Sequence, residues 1–221
     1  MIKLIIFDLD GTLLDTREDI ADACNYALRM CGHPERDLTE YNMLVGRGIY
    51  NLFRSALPPE SRSDESVLEM KSHFVPYYNS HICDKTEPYT GIIEMLDILA
   101  KEGITFAIAS NKYQEGTEIL VKKLLSRYGF IRILGQRDNK PIKPDPEIIN
   151  EIMSAVPGIK AEEVIYCGDS DVDMQTGINA GIKTIGVTWG FRTREELRAY
   201  DPWLLAEKPE EISAAVLTYS E

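Results

Sequence analysis

A chain of 221 residues, 44% of them apolar and 27% charged, is long enough to bury a full core, and reads as one large domain or as a domain carrying a smaller insertion. Its 36 acidic against 24 basic residues give a formal charge of −12, which opposes nonspecific attachment to nucleic acid or an anionic membrane and requires a local positive pocket for any anionic ligand. No apolar run approaches the ~20 residues that span a bilayer, and the four cysteines (Cys24, Cys31, Cys83, Cys167) show no CxxC or Cys/His ligand spacing, so a soluble, cytoplasmic protein with free thiols is expected.

Residues 2–7, IKLIIF, form a near-continuous β-branched apolar run, the signature of a parallel strand buried on both faces. From about 15 to 85 the pattern changes: Ile20, Ala23, Cys24, Ala27 and Leu28 recur at helical spacing, no convincing strand follows, and the proline- and serine-rich stretch from 58 reads as a loop. Ile92, Ile93, Leu96 and Leu99 then predict a helix that Gly103 ends, feeding a strand at 104–110. The alternation continues with a helix at 114–127, a strand at 131–134, a helix at 145–154, a strand at 164–168, a helix at 171–180 and a strand at 183–187. This order predicts an α/β fold with a doubly wound parallel sheet, residues 1–14 and 86–221, and a helical cap, residues 15–85, inserted after the first strand. The linkers near 14–17 and 84–90 are the expected hinges of a cap that must admit substrate and then exclude water.

The chemistry concentrates in FDLDGTL, at the carboxyl end of the first strand, where open parallel sheets bind ligands. Asp8 and Asp10 lie two apart, so in extended chain both carboxylates point the same way, and Gly11 permits a sharp turn with its amide free. Two like charges that close call for a cation, a shared proton, or both. Alone, the segment reads by default as a turn with a capping aspartate, but later strands also end in polar groups: ASNK at 109–112 and GDSDVD at 168–173, with KPDP at 143–146 before a helix. Ser110 and Asn111 offer a hydroxyl and an amide suited to phosphate oxygens or to capping a helix. Lys143 is held between Pro141 and Pro144. Asp169 is placed to ligate a hard cation while Asp173, four residues on, orients another group; all-oxygen ligands suit Mg²⁺ rather than zinc.

These segments, DLDGT at 8–12, Ser110, Lys143 before proline, and GDSDVD, resemble in this order the four motifs of the haloacid dehalogenase superfamily of phosphotransferases. The resemblance implies a Rossmann-like core in which Asp8 is the nucleophile, Asp10 the general acid and base, and Ser110 and Lys143 hold the phosphate. It also implies Mg²⁺ on Asp8, Asp169 and the backbone carbonyl of Asp10, with Asp173 supporting Lys143 and the metal shell. Asp10 must then carry a proton in the first step. The cap segments DTREDIADACNYALRMCG and LVGRGIYNLF resemble the phosphoglycolate phosphatase branch, which implies a phosphatase for a small phosphomonoester; a monomer or homodimer is expected, the sequence leaving the choice open. A pyrophosphatase or 5′-nucleotidase on the same core is the alternative. A non-catalytic phospho-acceptor used in signalling is a third reading, which the second-step base Asp10 opposes. Mutase relatives carry a histidine where Ile20 stands here, and residues 15–70 hold no lysine for a Schiff base. Arg47, between Gly46 and Gly48, either forks onto a substrate carboxylate or second phosphate or is an exposed cap arginine. His33, His73 and His81 share no ligand spacing and read as surface residues, and Tyr77, Tyr78 and Tyr89 as packing of the cap and hinge.

Overall fold

Leu4–Phe7 (β1) buries all four of its side chains, and the computed structural model, which describes residues 1–219, sets it inside the sheet because both its faces are apolar. A two-residue strand, Leu14–Asp15 (β2), opens the cap, which is built from Arg17–Met30 (α1), Tyr41–Leu44 (α2), Ile49–Ala56 (α3) and Asp64–His81 (α4). Glu87–Pro88 (β3) returns the chain by pairing antiparallel with β2. The core follows as Ile92–Lys101 (α5), Thr105–Tyr113 (β4), Gln114–Leu124 (α6), Ile133–Gln136 (β5), Glu147–Ser154 (α7), Val164–Gly168 (β6), Asp171–Ala180 (α8), Lys183–Val187 (β7), Arg194–Arg198 (α9), Leu204–Ala206 (β8) and Pro209–Thr218 (α10). The six-stranded sheet has the order β5-β4-β1-β6-β7-β8 with every pair parallel, the doubly wound arrangement expected from the alternation of elements.

The period-2 geometry of β1 sorts its residues between two cores. Leu4 and Ile6 pack with Ile148, Ile149, Ile152 and Tyr166 on one face. Ile5 and Phe7 pack on the other, with Leu96, Leu99 and Leu120, and this cluster runs on into the cap through Ile20, Phe53, Phe74 and Tyr78. The cap is held by α1 against α4, whose buried Val67, Met70, Phe74 and Tyr78 form a stripe at helical spacing; truncating Phe74 to alanine costs about 3–5 kcal/mol by cavity formation.

Five local readings differ from the structure. The β2–β3 ribbon lies within the two linkers, where two residues per strand leave no periodicity to detect. β4 runs to Tyr113 rather than ending at 110, because its polar end stays in the sheet through an irregular register with β5. α6 stops at Leu124, and β5 begins two residues later than the apolar run suggested. Beyond 187, where no periodic run predicts an element, α9, the three-residue β8 and α10 complete that edge of the sheet.

Candidate active site

β4, β1 and β6 lie side by side and parallel, so their carboxyl ends open on one edge of the sheet. Asp8 leaves β1 there, its N–H donating to Cys167 O at 2.9 Å and its Oδ1 accepting from Leu9 N at 2.7 Å. Lys143 Nζ lies 3.0 Å from Asp8 Oδ1 and donates to Asp173 Oδ1 at 2.7 Å, to the Tyr166 hydroxyl at 2.7 Å and to Ala109 O at 3.0 Å. Tyr166 in turn donates to Asp173 Oδ1 at 2.7 Å.

α8 begins where the sequence suggested, with Ser170 as N-cap. The Ser170 hydroxyl accepts from Asp173 N while Asp173 Oδ2 accepts from Ser170 N and Oγ, at 3.0 and 2.6 Å. Both oxygens of Asp173 are therefore engaged, one by the cap and one by Lys143 and Tyr166. Asp169, just before the helix, accepts from Phe191 N at 2.7 Å and Thr12 Oγ1 at 3.2 Å. Gly11 and Gly190 close around it. A Cβ on Gly11, already at φ +83°, would sit 2.4 Å from Asp169 Oδ2, and one on Gly190 would sit 2.3 Å from Gly11 O.

Asp8, Asp169 and Asp173 present carboxylate oxygens within 4.8 Å of one another, all buried. Burial, opposed by Lys143 and reinforced by Asp173 and Asp10, pushes Asp8 up to about 7. Burial, then the charges of Asp173 and Asp8, raises Asp169 well above the carboxylate range. Burial would raise Asp173 too, but the Lys143 charge and the bonds from Lys143, Ser170 and Tyr166 hold it below that range. Lys143 is held above its ordinary value although burial alone would lower it, because Asp173 and Asp8 face it. Three buried carboxylates against one ammonium leave a deficit of positive charge, and the all-oxygen donor set fits a hard divalent cation.

On the cap side, Ile20, Val45, Ile49, Leu52 and Phe74 form the apolar wall of a cavity whose floor holds Asp8, Asp10, Ser110, Asn111 and Lys112. Ser110 is buried within β4, its Oγ accepting from Lys112 N at 3.2 Å. The Asn111 amide spans the seam, donating to Gly46 O at 3.0 Å and Lys143 O at 3.1 Å while accepting from Lys143 N at 2.9 Å. Its side chain thus ties cap to core rather than standing free for phosphate. Gly11 makes the expected turn, but its N–H donates to Leu14 O at 2.9 Å, so that amide is not free. The Asp10 side chain pairs with Lys112 and stands outside the cluster of Asp8, Asp169 and Asp173. Arg47 does not line the cavity. It is half-exposed and pairs with Asp171 at 2.5 Å, because the turn between Gly46 and Gly48, both at positive φ, directs it along the seam.

Sequence reasoning passed over Lys112, Tyr166 and Arg192. Lys112 is detectable: two residues beyond Ser110 in extended chain, it shares a face with it, but the apolar run alone ends at 110 while β4 continues to Tyr113. Tyr166 lies in an apolar run that gives no sign of a polar partner. Arg192, buried on the core side, donates to the carbonyls of Asn42 and Val45 in the cap, the latter at 3.3 Å.

Residues 5–187 match the family model of haloacid dehalogenase-like hydrolases. A phosphoglycolate phosphatase of Mesorhizobium japonicum is 32% identical over 205 residues, covering 90% of this chain and 88% of that protein. The pyrophosphatase PpaX of Halalkalibacterium halodurans is 29% identical over 211 residues, covering 95% and 94%. A crystal structure of a protein from Lactobacillus delbrueckii subsp. bulgaricus superposes with a TM-score of 0.89 at 29% identity, covering 98% and 99%. With its parallel sheet, cap and carboxylate cluster, the chain belongs to the haloacid dehalogenase-like hydrolases and is a phosphoric monoester hydrolase of that family.

Proposed function

We propose that the protein is a Mg²⁺-dependent phosphatase that hydrolyses a small phosphomonoester, of the phosphoglycolate type, through a phosphoaspartate at Asp8. The observation that carries this reading is the Lys143 ammonium 3.0 Å from Asp8 within a buried carboxylate cluster. A lysine there holds phosphoryl oxygens beside the nucleophile.

Asp8 attacks phosphorus in line, the ester P–O bond breaks, and Asp10 gives its proton to the leaving alkoxide. Water then attacks phosphorus and passes a proton to Asp10. The bond from phosphorus to Asp8 breaks, returning the carboxylate and inorganic phosphate. Lys143 and Ser110 hold the phosphoryl oxygens through both steps, and Asp173 and Tyr166 keep Lys143 aimed. Asp8, Asp169 and the backbone carbonyl of Asp10 would hold Mg²⁺, which when bound supplies charge neutralisation at the phosphoryl group. The cap, residues 15–85, opens about the linkers at 14–17 and 84–90 to admit substrate.

The phosphoglycolate phosphatases among the relatives support the substrate class; the pyrophosphatase supports the second reading, a pyrophosphatase or nucleotidase on the same core. Phosphate release from 2-phosphoglycolate, sugar phosphates, nucleotides and pyrophosphate, with and without Mg²⁺, tests both beside Asp8→Asn. Turnover of 2-phosphoglycolate that needs Mg²⁺ and vanishes in the variant is expected. Preference for pyrophosphate or nucleotides selects the second reading, and turnover that survives Asp8→Asn overturns the mechanism.

A further inference from the structure

The helical register of the cap brings together three side chains that look unrelated along the chain. Glu69 and His73 stand one turn apart on α4, and Cys31 caps the carboxyl end of α1. Cys31 Sγ, a carboxylate oxygen of Glu69 and a ring nitrogen of His73 all lie within 4.8 Å of one another. Among the described residues none of these three side chains has another hydrogen-bond or ion-pair partner; the Ser72 Oγ bond to Glu69 goes to its backbone carbonyl. His81 on the same helix, by contrast, is taken up by Asp84 at 2.7 Å.

We propose that Cys31, Glu69 and His73 form a second metal site, on the surface of the cap and separate from the carboxylate cluster, that binds Zn²⁺ or a similar borderline divalent ion. One thiolate, one imidazole and one carboxylate are the donors such an ion takes, with water completing a tetrahedron; Mg²⁺, which keeps to oxygen, is a poor match. Bond lengths near 2.0–2.3 Å set donor atoms roughly 3.3–3.8 Å apart in that geometry, so the side chains need close by no more than about 1.5 Å. That is within reach of partly exposed groups on two helices already packed together. Burial and then the charge of Glu69 push the Cys31 thiol above its ordinary range; the same negative charge favours a cation that displaces the thiol proton. The bound ion ties the end of α1 to the middle of α4, the helices that supply Ile20 and Phe74 to the cavity wall.

The test is Co²⁺ titration of the chelator-treated 221-residue chain with Mg²⁺ held in excess. One equivalent is expected to produce a thiolate-to-cobalt charge-transfer band and intense tetrahedral d–d bands, which Zn²⁺ then abolishes. A Co²⁺ ion among carboxylates gives neither signal. Cys31→Ser is expected to remove the charge-transfer band and His73→Gln to weaken binding at least 10-fold, with Mg²⁺-supported phosphate release within 2-fold of the unmodified protein in both. The half-exposed His73 makes the second variant safe for folding, which circular dichroism checks. Absence of a thiolate band at micromolar Co²⁺, or a band that persists in Cys31→Ser, overturns the proposal whatever the substrate of the catalytic site.

Discussion

Lys112 Nζ lies 3.0 and 3.2 Å from the two carboxylate oxygens of Asp10. The pair is buried, and the same ammonium stands 4.6 Å above the ring of Tyr78 from the cap. Lys112 thereby orients the proposed acid and base and touches the lid over it. Lys112→Met is expected to lower kcat about 10- to 100-fold, a large part of what a positioned acid and base contributes, and Lys112→Arg to recover part of that. Steady-state kinetics on folded variants decides it, and an unchanged kcat removes Lys112 from the mechanism.

Lys143 faces Asp8 and Asp173 with almost no exposure. Lys143→Met leaves two buried carboxylates without their counter-charge and is expected to cost about 3–5 kcal/mol, a Tm fall of roughly 10 °C in a chain of this size. Asp173→Asn keeps the shape but loses the charge that aims Lys143, so a fall in kcat with a smaller loss of Tm is expected. Thermal melts beside phosphate release separate the two effects.

Asp8 is raised from 3.8 to about 7, and Asp169 is raised as well. With folded values above unfolded ones, the metal-free protein binds more protons than its unfolded chain over that interval. Its stability contribution from Asp8 is therefore full below about 4 and lost as pH rises through about 7. A divalent cation competes with those protons. The rise in Tm on adding Mg²⁺ is expected to be larger at pH 8 than at pH 6, and an equal or reversed rise would show that these carboxylates do not hold the ion.

Arg192 reaches from the core to the carbonyls of Asn42 and Val45, and Val45 lines the cavity. Arg192→Met frees that cap segment and is expected to raise KM several-fold more than it lowers kcat. Arg47→Ala breaks a pair with Asp171 that is half-exposed on the arginine side, worth about 0–1 kcal/mol, and is expected to change KM less than 3-fold. A 10-fold rise for Arg47→Ala would restore it as a substrate contact.

Polar bonds that water can replace cross the mouth of the site, among them Asn111 to Gly46 and the Tyr113 hydroxyl to Asn79 Oδ1 at 2.5 Å. If the cap opens about the β2–β3 ribbon, orthovanadate with Mg²⁺ is expected to slow hydrogen exchange at residues 45–49. Exchange there that ignores the ligand would argue for a fixed cap.

The alternation of apolar runs and helical stripes was enough to assign the α/β class, and the polar residues that follow those runs marked Asp8, Asp10, Ser110 and Asp169 as candidates, because strand burial and strand-end position are encoded locally in periods of 2 and 3.6; Lys143, in the loop before α7, was marked by its place among the motifs. Other features depend on pairs far apart in the chain. Lys112 meets Asp10 across 102 positions and Arg192 meets Asn42 across 150. Arg47 turns to Asp171 rather than to the cavity, and Cys31 joins Glu69 and His73 only because α1 packs on α4. Local periodicity says which face of an element is buried; which side chain stands opposite is decided by strand order and helix packing, and that information exists only in the folded chain.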